Sequence, residues 1–131
     1  YLCDIAESSL FKYEVSILDW CDNVTYQEFI NENGSMINKS DHSLTLLAID
    51  VIYNEFLIVP FLTTVRTILK LNPRANALVI LQLRDESIIV DFLTECLELG
   101  LNIKTVEDTE DEQLLGCSRH VIYRLSLNTI F

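Results

Sequence analysis

An open α/β sheet that ends in an antiparallel hairpin is the architecture this sequence predicts, and three observations predict it. Residues 44–49 and 77–81 are short, almost unbroken apolar runs of strand length. Each is followed by apolar residues recurring at three- and four-residue spacing, the mark of an amphipathic helix. After the second helix come two strand patterns, residues 101–106 and 120–127, with an acidic loop at 107–112 and no helix between them.

The first third of the chain is less regular. Leu2 and Cys3, ending at Asp4, suit the tail of a strand, and residues 7–13 allow only a short helix. Val15-Ser16-Ile17-Leu18 suits a second strand, ended by Asp19-Trp20. Residues 23–43 are rich in Asn and Ser, include Gly34 and are expected to be an insertion loop, with a helical piece at 26–30.

From residue 44 the periods are clearer. The run 44–49, interrupted only by Thr45, suits a parallel strand covered on both faces. Ile58, Phe61, Leu62, Val65, Ile68 and Leu69 then form a helical stripe in which Pro60 falls in the first turn, where its missing N–H costs nothing. Asn72-Pro73 ends that helix, and Ala77-Leu78-Val79-Ile80-Leu81 is again a doubly covered strand. Ile88, Ile89, Phe92, Leu93, Cys96 and Leu97 mark a second helix, capped by Asp85 or Ser87 before it and Gly100 after it. In an open sheet of this kind, ligands bind beyond the carboxyl ends of the parallel strands. The segment from Asp50 to Tyr53 occupies one such end.

Composition narrows the partners. Twenty acidic residues against nine basic give a net charge of −11, which repels a phosphate backbone and an anionic leaflet. Neither nucleic acid nor a membrane is expected as a partner, whereas a basic protein or an amine is attracted. No apolar run approaches the length that spans a bilayer. Cys3, Cys21, Cys96 and Cys117 lie far apart without a CxxC pair or a histidine at ligand spacing, so no metal site is expected. Reduced thiols suit a cytoplasmic or nuclear protein. His42, in a polar loop, and His120, at the mouth of a strand, have the settings of surface or edge residues.

Three segments carry a family resemblance: Leu2-Cys3-Asp4-Ile5, Leu18-Asp19-Trp20 and Ala48-Ile49-Asp50-Val51-Ile52-Tyr53. In this order, a strand-ending acid, an LDW segment and a DxxY segment resemble the seven-β-strand S-adenosylmethionine-dependent protein-lysine methyltransferases of the methyltransferase-like group. The resemblance implies a Rossmann-like sheet whose final hairpin carries the reversed seventh strand. It also implies one class I methyltransferase domain over residues 1–131, with 23–43 inserted. The family's N-terminal strand and Gly-rich cofactor turn have no counterpart, since the only glycines are Gly34, Gly100 and Gly116. The chain also starts at Tyr1, and an N-terminally truncated domain is expected.

By the same resemblance, Asp4 would accept hydrogen bonds from the cofactor ribose, and Asp19 and Trp20 would border its adenine. Asp50 and Tyr53 would face the methyl group and the incoming lysine of a protein substrate. Structural alternatives stay open at this point: Asp50 as a helix cap, a task Asn54 can also perform, Tyr53 as a buried tyrosine with a bonded hydroxyl, and Trp20 as core packing. The functional alternative is a truncated, catalytically inactive module that acts through protein binding.

Overall fold

The computed structural model describes residues 14–38, 44–83, 85–106 and 120–127. Asp4, the expected elements before residue 14, His42, Cys3, Cys117 and the acidic loop lie outside the described residues. The described elements are α1 (Asn23–Ile37), β1 (Thr45–Ile49), a 3-10 turn (Glu55–Leu57), α2 (Ile58–Leu71), β2 (Asn76–Gln82), α3 (Glu86–Glu98), β3 (Leu101–Thr105) and β4 (His120–Leu127).

The four strands form one mixed sheet in the order β1-β2-β4-β3. β1 and β2 are parallel, with Leu47 opposite Leu78 and Ile49 opposite Ile80. β4 runs antiparallel to both neighbours, pairing Ile80 with Ile122 on one side and Ile103 with Leu125 on the other. The closing hairpin therefore folds its second strand inward, leaving β3 at the edge. α2 and α3 each link strands that run in the same direction, and both pack on one face of the sheet, as crossovers of one hand require.

That face holds the core. Phe61, Leu62, Val65 and Leu69 of α2 and Phe92 and Cys96 of α3 pack on Ala77, Val79 and Leu81 of β2 and on Tyr123 and Leu125 of β4. The Phe92 and Tyr123 rings stack with centroids 6.0 Å apart. The helix stripes follow the sequence pattern except at Leu97, which is exposed, and each element ends for a local reason. Asn54 accepts from the Phe56 N–H at 3.0 Å to start the 3-10 turn that leads into α2. Asn72 closes α2, accepting from the Arg74 N–H at 3.2 Å through its side chain and from the Ala75 N–H at 2.9 Å through its carbonyl. Asp85 rather than Ser87 is the α3 cap, and Gly100 takes φ 73° where that helix turns into β3.

Three expectations are corrected. Residues 15–18 are not a strand: no regular structure forms there, and Val15 and Ile17 are each 79% exposed, because no strand among the described residues offers them a ladder. Residues 23–37 are helical rather than looped, since Asp22 caps α1 by accepting from the Val24 N–H and the Thr25 hydroxyl. Among the described residues β1 is covered on one face: Leu46 and Ala48 pack on the core, while Leu47 is 63% and Ile49 54% exposed. An unbroken apolar run signals a strand, but among the described residues both crossover helices serve the same face.

Candidate functional site

β1 continues its ladder one residue past its end, with the Asp50 N–H donating to the Ile80 carbonyl at 3.0 Å. Asp50 then adopts φ 53°, the left-handed region that aspartate tolerates better than most non-glycine residues. Strict alternation would send its side chain to the face of Leu46 and Ala48, beneath the helices. The positive φ breaks that alternation, and Oδ2 lies 3.6 Å from Nε2 of His120. His120 is the first residue of β4, opposite Gln82, the last residue of β2. Asp50, Gln82 and His120 thus stand in a row across three strand ends.

After Asp50 the chain leaves the sheet. Val51 and Ile52 pack partly on the core, Tyr53 is 76% exposed, and Asn54 caps the following turn. Because the Asn54 side chain makes the capping bond, Asp50 is not a helix cap. Tyr53 is likewise not the buried tyrosine of its structural alternative.

A cavity of about 180 Å³ lies beyond the carboxyl ends of β1 and β2, lined by Asp50, Ile52, Tyr53, Gln82, Asp85 and Ile88. The turn after β1 supplies the first three residues and the entry to α3 the last two. Both residues expected to face the lysine therefore line one cavity. Asp85 was expected only as a possible cap, and it brings a second carboxylate. Hydrogen bonds from the Ser87 hydroxyl and N–H hold that carboxyl below its ordinary value of 3.8, so it is anionic at neutral pH. Two carboxylates, a phenol and an amide beside two isoleucine side chains suit a small cation on an apolar stem.

The residues expected at the adenine are engaged otherwise. Asp19 accepts from the Cys21 N–H at 2.9 Å through its side chain and from the Asp22 N–H at 3.1 Å through its carbonyl. The half-buried Trp20 packs against Phe61. Neither lines the cavity, which is smaller than the roughly 300–1,000 Å³ that holds a cofactor-sized molecule. The described residues do not by themselves fit S-adenosylmethionine. Nor, among them, do three or more His, Cys, Asp or Glu side chains cluster to hold a metal ion. No helix among the described residues is long and apolar enough to cross a membrane.

His120, expected as a surface or edge residue, is instead only 10% exposed and lies on an inner strand beside the site. A lone histidine at a strand mouth carries no motif, and only the reversal of β4 brings it to Asp50. The signal available was its place at the start of the last strand, opposite in direction to β1 and β2.

Comparison with known proteins gives one consistent result. The chain is similar to ribosomal lysine N-methyltransferase 5 of Kluyveromyces lactis, 30% identical over 118 residues, which is 87% of this chain and 35% of the relative. The protein of the same name from Candida glabrata is 36% identical over 122 residues, 87% of this chain and 33% of the relative. That from Vanderwaltozyma polyspora is 28% identical over 93% of this chain and 40% of the relative. The chain thus spans between 33% and 40% of the length of these relatives. No family model matches it.

Proposed function

We propose that this chain forms the lysine-receiving part of an S-adenosylmethionine-dependent protein-lysine methyltransferase, acting on a protein substrate in the cytoplasm or nucleus. The observation that carries this reading is the cavity at the ends of β1 and β2 that Asp50 and Tyr53 both line. Similarity to proteins named ribosomal lysine N-methyltransferase 5 supports it, and so does β4, a reversed strand in the closing hairpin as the resemblance implies.

A lysine side chain reaches the site as an ammonium and must lose a proton before its lone pair can attack carbon. The Asp50 carboxylate holds the amine by hydrogen bonds and takes that proton directly or through water. The Tyr53 ring offers an electron-rich face to the cation, and Asp85 adds a second anion to draw it in. Ile52 and Ile88 receive the aliphatic stem. Alignment of the amine is the main contribution of these residues, because an in-line displacement needs little covalent assistance. The proposed methyl donor, S-adenosylmethionine, supplies an electrophilic methyl group.

A second reading is an inactive module that acts through protein binding, and one observation favours it: Asp19 and Trp20 are committed to local and core contacts. Calorimetric titration of the 131-residue chain with S-adenosylhomocysteine separates cofactor binding by these residues from its absence. The decisive experiment is labelled-methyl incorporation into lysine of ribosomal proteins by the native protein containing this chain, beside Asp50→Asn. Asn tolerates the left-handed backbone but carries no charge, and transfer should fall on the order of 100-fold. Undiminished transfer by Asp50→Asn, or label on residues other than lysine, would overturn the reading.

A further inference from the structure

Asp50 stands at the end of β1 in a left-handed conformation, 48% exposed and without a capping bond to anchor its carboxylate. A carboxylate free to rotate about two side-chain torsions presents its lone pairs poorly to an amine. Among the described residues, one group restrains it. Nε2 of His120 lies 3.6 Å from Oδ2, at ion-pair distance, and the imidazole is only 10% exposed. That side chain is fixed at its base by β4, whose register places His120 opposite Gln82 and Ile122 opposite Ile80. Gln82 is also a lining residue of the cavity, so His120 stands beside the site without itself lining it.

We propose that His120 is a positioning residue for Asp50: it holds Oδ2 from the sheet side and leaves Oδ1 turned toward the amine in the cavity. This deepens the methyltransferase reading and rests on it. The strained backbone at Asp50 has a use on this account, because it takes the carboxylate out of strand alternation and within reach of the imidazole. The reversed direction of β4 has one too, since it presents the first residue of that strand at the end of the sheet where β1 and β2 finish. His120 touches Asp50 and not the substrate, so its effect is on turnover rather than on capture of the methyl donor.

Two measurements test this. In the 131-residue chain, the side-chain nitrogen resonances of His120 are compared between wild type and Asp50→Asn. Nε2 should shift while the backbone amides of β4 stay in place; an unchanged Nε2 would overturn the pairing whatever the activity of the protein. In the native protein, His120→Ala and His120→Gln are assayed with a lysine-bearing ribosomal protein as the probe. His120→Ala should lower kcat roughly 10- to 100-fold with KM for the methyl donor unchanged. His120→Gln, whose amide nitrogen reaches about as far as Nε2, should recover much of the loss. A His120→Ala protein with wild-type kcat, beside an Asp50→Asn protein that has lost transfer, would sink the role of His120 and leave the methyltransferase reading standing. Full activity in Asp50→Asn with a shifted Nε2 would instead remove the reading on which this role depends.

Discussion

The Trp20 indole and the Phe61 ring meet in a T-shaped contact, centroids 5.4 Å apart and planes at 73°. Phe61 is buried in the first turns of α2, so this contact ties the segment before α1 to the core. An indole held in that way is a packing element.

Trp20→Ala should therefore destabilise the chain by about 2 kcal/mol, less than the roughly 3–5 kcal/mol typical of a fully buried aromatic because Trp20 is only half-buried. Trp20→Phe should recover most of that loss by keeping an aromatic ring against Phe61. Circular-dichroism melts of the three proteins measure it. Equal melting temperatures for wild type and Trp20→Ala would mean that the ring contact carries no stability.

The backbone at residue 50 gives a second test. At φ 53°, replacing Asp50 by Ala forces a β-carbon into the left-handed region without the local hydrogen bonding that helps aspartate there. Asp50→Gly removes the conflict and should be more stable than Asp50→Ala by about 1 kcal/mol. Asn54→Ala, by contrast, should cost about 1 kcal/mol through loss of the cap on the turn before α2. Chemical denaturation of the three variants distinguishes backbone strain from capping. If Asp50→Ala matched Asp50→Gly, the strain argument would fail.

The cysteines make a third. Burial, and then the nearby Glu95, push the Cys96 thiol up to about 12, whereas Cys21 is exposed. At pH 8 iodoacetamide should alkylate Cys21 readily and Cys96 only after unfolding, as read by mass spectrometry of the two peptides. Any stability owed to the neutral Cys96 thiol is fully present below the ordinary value of 9.0 and is lost as pH rises from there toward about 12. Rapid labelling of Cys96 in the folded chain would show that the core around Phe92 opens.

Sequence by itself determined the elements from residue 44 onward, because strand and helix periods are local properties. The stripe Ile58, Phe61, Leu62, Val65 and Leu69 became the buried side of α2, Asp85 and Gly100 bound α3, and Asp50 stood at a strand end next to Tyr53. Local hydrogen bonding of Asn54 was legible too, as the competing cap that leaves Asp50 for other work. What sequence did not determine was which partners each element would meet. The run at residues 15–18 has strand composition but no neighbouring ladder, and the apolar run of β1 has a helix layer on one side among the described residues. Only the tertiary structure decided that β4 turns back between β2 and β3, and with it that His120 comes to Asp50 from 70 positions along the chain. Pairing across a sheet depends on register and direction, and neither is written in the residues of one strand.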